Sequence, residues 1–145
     1  MSQYPLPQET AADIPATVAR ALSEDIGSGD ITAALIPADA RAAASVITRE
    51  DGILCGRPWV DAVFAELDPA VAVDWQANDG DPLRAGQNIF TLAGPARSLL
   101  TGERAALNFL QLLSGTATLC RNYADQGWFH EVSRGGIYIS DVFRG

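Results

Sequence analysis

A chain of 145 residues, 48% of them hydrophobic, is long enough for one domain with a real core, and no run approaches the ~20 uninterrupted apolar residues of a bilayer-spanning helix. Its ten basic residues are all arginine and stand against eighteen acids, a net charge of −8 that argues against nucleic acid and anionic membrane surfaces as partners. With no lysine anywhere, Schiff-base chemistry, a P-loop lysine and a lysine-borne swinging cofactor are excluded, so any anion bound here is held by arginine, by helix N-termini or by a partner chain.

The N-terminal residues have neither a basic start nor an apolar stretch, which reads as no secretory leader and a cytoplasmic chain. Residues 1–12 are Pro-rich and polar and are expected to be loosely ordered. Ile14–Ile26 reads as a first helix with Asp13 as N-cap, Pro15 near its first turn, and Val18, Ala21, Leu22 and Ile26 inward. It stops at Gly27-Ser-Gly29, where Asp30 and Thr32 are expected to bond nearby amides and fix a turn. G-x-G here is no phosphate loop, because no strand precedes it and acids flank it.

Ala42–Thr48 is a strand candidate, and Gly52-Ile-Leu-Cys-Gly56 continues extended. Arg57–Leu67 has a 3.6-residue period (Trp59/Val60, Val63/Phe64, Leu67) and a proline in its first turn, and Asp68-Pro69 ends this second helix. Val71–Trp75 alternates as a strand, 78–87 is turn-rich, and Ile89–Gly94 is another strand, closed by Pro95. Cys55 and Cys120 sit in apolar runs outside any C-x-x-C and read as buried free thiols of a reducing compartment. The single histidine, His130, has no Cys/His cluster around it, so no metal site is expected.

The longest predicted helix starts at Ser98. Leu99, Ala106, Leu110, Leu113, Ala117 and Cys120 recur at three- and four-residue steps and define an inward side. Arg104, Asn108 and Gln111, at i, i+4 and i+7, form a second, polar face. A guanidinium beside two carboxamides offers fixed donors to a carboxylate or phosphate. On pattern alone the alternative also stands that Arg104 pairs with Glu103 or a distant acid at a subunit contact.

Four motifs stand in order: Ser23-Glu-Asp-Ile-Gly-Ser-Gly-Asp-Ile-Thr32, Asp51-Gly-Ile-Leu-Cys-Gly56, Asp79-Gly-Asp followed by Gly86, and Gly102-Glu-Arg-Ala-Ala-Leu-Asn-Phe-Leu-Gln-Leu-Leu-Ser-Gly-Thr-Ala-Thr118. Each is weak alone. Together, over about Pro15 to Asp125, they resemble the quinolinate phosphoribosyltransferase family, the carboxylating nicotinate-nucleotide pyrophosphorylases. The resemblance implies an α/β fold. An α+β sandwich domain would occupy residues 1–97, a long helical segment entering an α/β barrel 98–125, and 126–145 would be an atypical tail. It implies a dimer in which each barrel site is completed by the partner's N-terminal domain. It also implies joining of quinolinate to phosphoribosyl pyrophosphate, with Mg2+ accompanying the pyrophosphate. Arg104 matches the arginine that reaches into the partner's site to hold substrate anion, with Glu103, Asn108 and Gln111 in support.

After about Asp125 the resemblance ends. The family's barrel run resembling Asp-Thr-Arg-Lys-Thr has no counterpart here, so no catalytic residue is expected in this chain. Ile137–Ile139 is a possible strand without an evident partner, and His130 reads as incidental. The expectation is a chain inactive alone, prone to self-association through Phe109, Leu110, Leu112 and Leu113. Two other readings stay open: a non-catalytic fragment that pairs with a full-length subunit, and a related phosphoribosyltransferase with another substrate.

Overall fold

The structure, a computed structural model, describes residues 6–27, 31–126 and 137–144. Every second residue of β1 (Arg41–Thr48) turns inward, burying Ala42, Ala44, Val46 and Thr48. It pairs antiparallel with β5 (Asn88–Pro95), and β5 with β3 (Ala72–Trp75). Val46 lies opposite Phe90 and Ile47 opposite Asn88, so Ile89 is the extra residue of a bulge, and both Ile89 and Phe90 turn into the core. The strand seen in Ile137–Ile139 extends over Ile137–Arg144 and takes the free side of β1, for a sheet order β3-β5-β1-β6 with this last strand as β6. A separate ribbon pairs β2 (Gly52–Ile53) with β4 (Pro82–Leu83).

Three helices cover the sheet: α1 (Gln8–Gly27), α3 (Arg57–Leu67) and α4 (Ala96–Gln126), with one turn, α2 (Ile31–Ala34), between the first helix and β1. Val18 and Leu22 of α1, Val60, Val63 and Phe64 of α3, and Leu99, Ala106 and Leu110 of α4 meet Val46, Phe90 and Leu92 of the sheet in one core. Close approach of α3 and α4 depends on Gly102, where an added Cβ would sit 2.5 Å from the Phe64 ring. The N-terminus of α3 turns at Gly56, φ 123°, a left-handed angle that favours glycine.

Several expectations are corrected. The first helix begins at Gln8, not Ile14; Glu9, Ala11 and Ala12 are good helix formers, and exposed Pro15 sits inside the helix without ending it. Asp13 is therefore no N-cap, and its carboxylate accepts the Thr17 hydroxyl one turn on, at 3.0 Å. Ile26 lies half exposed at the helix end. Thr32 belongs to α2 rather than a turn, while Ser28, Gly29, Asp30 and His130 lie outside the described residues. Cys120 is exposed, not buried, because 31-residue α4 runs about 46 Å at 1.5 Å per residue and outreaches the eight-residue strands beneath it. Leu110 is fully buried in the core, which removes it from the surface expected to drive self-association; of that set Leu112 is the exposed member.

Candidate functional site

The candidate site is the outer face of α4. Arg104 and Asn108 are exposed there, one turn apart, and Leu112 follows at the next turn, 70% exposed. Gln111 is half-buried on the flank and has a bonding partner. Glu103 is half-buried on the other side of Arg104; burial pushes its carboxyl above the usual range, against the opposing pull of the Arg104 charge. The Arg104 guanidinium forms no ion pair or hydrogen bond with another described residue. Two other arginines, Arg57 and Arg97, are tied down. Arg57 bonds the Asn78 carboxamide, lies 4.0 Å from the Asp61 carboxylate and stacks 5.3 Å over Trp75, and Arg97 donates to the Ile36 carbonyl. Intramolecular pairing of Arg104 with Glu103 or a distant acid, the alternative raised by the pattern, is thus not formed among the described residues. An exposed guanidinium with its five donors uncommitted can fork onto a carboxylate or phosphate.

What holds this face still is the underside of the same helix. Ser114, 3% exposed, accepts the Cys55 N–H at 3.0 Å and donates to the Cys55 carbonyl at 3.0 Å. Thr118, one turn on, accepts the Ile53 N–H at 2.9 Å and donates to the Ser114 carbonyl at 2.7 Å. One helical turn of four residues spans about 6.0 Å and two strand residues about 6.6 Å, so hydroxyls at i and i+4 match amides at j and j+2. The two hydroxyls thereby serve residues 53–55 as a substitute strand. Gly52 allows the approach, since a Cβ there would lie 2.9 Å from the Thr118 hydroxyl.

Asp79 anchors the adjoining loop. Its Oδ1 accepts the backbone N–H groups of Gly56 at 3.1 Å and Arg57 at 3.0 Å, capping α3 from across the fold. Burial raises its pKa, against those hydrogen bonds and the Arg57 charge. Burial, with the Asp79 charge second, pushes the neighbouring Cys55 thiol up to about 11, which keeps it protonated and unreactive near neutral pH. The sequence reading missed Ser114, Thr118 and the capping role of Asp79. The signal for the first two was small polar residues four apart inside an apolar helix.

Fold and site together define the class: a small α+β domain with one long helix, α4, along one side. A family model described as quinolinate phosphoribosyl transferase, N-terminal domain, matches residues 30–114, and the chain belongs to that family. It is 40% identical over 121 residues to quinolinate phosphoribosyltransferase [decarboxylating] 1b of Nicotiana tabacum, covering 82% of this chain and 35% of that protein. The chloroplastic nicotinate-nucleotide pyrophosphorylase [carboxylating] of Oryza sativa subsp. japonica is 38% identical, with 82% and 33% covered. The solved nicotinate-nucleotide pyrophosphorylase of Francisella tularensis superposes with a TM-score of 0.77 at 38% identity, over 86% of this chain and 44% of that one. The chain thus spans about a third of the length of the curated relatives it matches.

Proposed function

We propose that this domain serves a quinolinate phosphoribosyltransferase of NAD synthesis, and that Arg104 holds substrate anion in a site whose remaining walls belong to another subunit of a homodimer. The observation that carries the reading is the uncommitted, exposed Arg104 on a helix fixed from beneath. Exposed Asn108 and Leu112 on the same stripe suit a helix face that meets a second chain.

The chemistry of the reaction suits an arginine there. Quinolinate carries two carboxylates and the phosphoribosyl donor several phosphate charges. Transfer joins the pyridine nitrogen to the ribose carbon as pyrophosphate leaves. The adjacent carboxylate departs as carbon dioxide, a proton takes its place, and nicotinate mononucleotide results. Positive character at the ribose carbon and negative charge on the leaving group make catalysis largely positioning and charge neutralisation. A forked guanidinium orients a planar carboxylate better than an ammonium does. Glu103 precedes Arg104 in the chain, and its half-buried carboxyl feels the Arg104 charge. Mg2+ accompanies such donors, but no group of three or more His, Cys, Asp or Glu gathers to hold a metal among the described residues, so these residues do not fit a resident ion. The free Cys55 and Cys120 are compatible with a reducing compartment such as the cytosol.

Trans-complementation tests the proposal. A full-length quinolinate phosphoribosyltransferase whose own matching arginine is replaced by alanine is mixed with this chain, and nicotinate mononucleotide is measured. The wild-type chain restores product and the Arg104→Ala chain does not, although both co-sediment with the enzyme. Equal rescue by both chains, or none from a co-sedimenting wild-type chain, overturns the role of Arg104.

A further inference from the structure

A second cationic feature lies away from the Arg104 stripe. Thr118, Arg121 and Asn122, at i, i+3 and i+4, form one wall of a groove of about 410 Å³ along the C-terminal part of α4. The β2–β4 ribbon forms the other wall, with Gly52, Ile53, Pro82 and Leu83 as an apolar floor and Asp51 and Arg84 at its rim. The volume suits a small molecule. Neither guanidinium forms an ion pair or side-chain hydrogen bond with another described residue. Asp51 is adjacent to Arg84, yet its Oδ1 accepts the Ala85 N–H at 2.8 Å instead. Among the described residues the groove therefore holds two guanidiniums without an ion-pair partner and one carboxylate, one oxygen of which accepts a backbone N–H, in a chain whose net charge is −8.

We infer that this groove binds the phosphoryl group of a small phosphorylated molecule, such as a sugar phosphate, with Arg84 and Arg121 on the phosphate oxygens and the organic part against Ile53, Pro82 and Leu83. Two separate guanidiniums favour a phosphate, whose oxygens point in several directions, over a single planar carboxylate. Asn122 supplies both donor and acceptor for a sugar hydroxyl. The Thr118 hydroxyl contributes little, because it already serves Ile53 and Ser114.

Titration of the 145-residue chain with ribose 5-phosphate and with inorganic phosphate, followed by amide chemical shifts, tests the inference. Saturable shifts are expected at Gly52, Ile53, Leu83 and Asn122, with ribose 5-phosphate the tighter ligand. Arg84→Ala with Arg121→Ala should weaken it at least tenfold, and raising salt should weaken it further. Both arginines are exposed, so an unchanged circular dichroism spectrum and melting temperature show that the double variant folds; Arg84→Lys with Arg121→Lys should recover part of the affinity. Absence of saturable shifts, ribose 5-phosphate no tighter than phosphate, or binding insensitive to the double alanine variant overturns the inference. Because Arg104 lies outside the groove, these outcomes are independent of the trans-complementation result.

Discussion

Replacing Ser114 with alanine tests the hydroxyl hitch between α4 and residues 53–55. The substitution deletes one oxygen from a site 3% exposed and leaves the Cys55 N–H and carbonyl, each at 3.0 Å from that oxygen, without their partner. A net hydrogen bond contributes about 1 kcal/mol, but a buried donor left unsatisfied costs about 1–3 kcal/mol, and a carbonyl with two lone pairs tolerates the loss better. Alanine's better helix propensity returns about 0.5 kcal/mol. The expected loss is about 2 kcal/mol, a sizeable part of the 5–15 kcal/mol that holds a typical domain together, and at roughly 2–4 °C per kcal/mol for a chain of this size it lowers the melting temperature by about 4–8 °C. Thermal melts by circular dichroism read this directly. Thr116→Ala is the control: Thr116 is exposed and its hydroxyl bonds only the Leu112 carbonyl of its own helix, at 2.9 Å, so about 0.5 kcal/mol or less is at stake. A Ser114→Ala melt indistinguishable from that of Thr116→Ala would refute the substitute-strand account.

Gly102→Ala places a methyl group 2.5 Å from the Phe64 ring and should cost about 1–3 kcal/mol in urea unfolding, with partial recovery on adding Phe64→Leu; an unchanged midpoint would show that α3 and α4 part freely. Asp79→Ala removes the acceptor for two N–H groups at the start of α3 and should cost about 1–2 kcal/mol, seen as faster amide exchange in the first turn of that helix. Because Asp79's folded pKa is raised, the folded chain binds this proton more tightly than the unfolded one. Its contribution is therefore most favourable below the ordinary carboxylate pKa and is lost as pH rises through the folded value; relative to Asp79→Asn, the wild type should gain stability as pH falls from 7 towards 4, and a parallel pair of curves would contradict the shift. Exposed Cys120 should react with iodoacetamide at pH 8 well before Cys55, which is half-buried rather than buried as expected and whose thiol is pushed up to about 11, and equal labelling by mass spectrometry would contradict that shielding of Cys55.

Much of this architecture is local and so was readable in advance. The period of Trp59/Val60, Val63/Phe64 and Leu67 marks α3, alternation marks β3, and prolines and glycines punctuate them. The Arg104–Asn108 face was legible for the same reason, since a helix places i and i+4 side by side whatever lies beneath. What escaped depends on distant partners. Asp79 caps a helix 22 residues earlier in the chain, and the bulge at Ile89 exists only against β1. The inward stripe was right at Leu99, Ala106 and Leu110 but failed at Cys120, because periodicity reports the orientation of a helix and not where its supporting layer ends.

Gly102 against Phe64, Ser114 on Cys55 and Thr118 on Ile53 clasp α4 at successive points along one side. A helix braced in this way arrives at any encounter with its backbone already in the bound shape. A neighbour landing on Arg104 then immobilises little beyond the arginine's own rotamers, an entropic cost on the order of 0.5–1.5 kcal/mol. The geometry of recognition is set during folding, so changes to the braces should alter how firmly the neighbour is gripped even though none of them touches it.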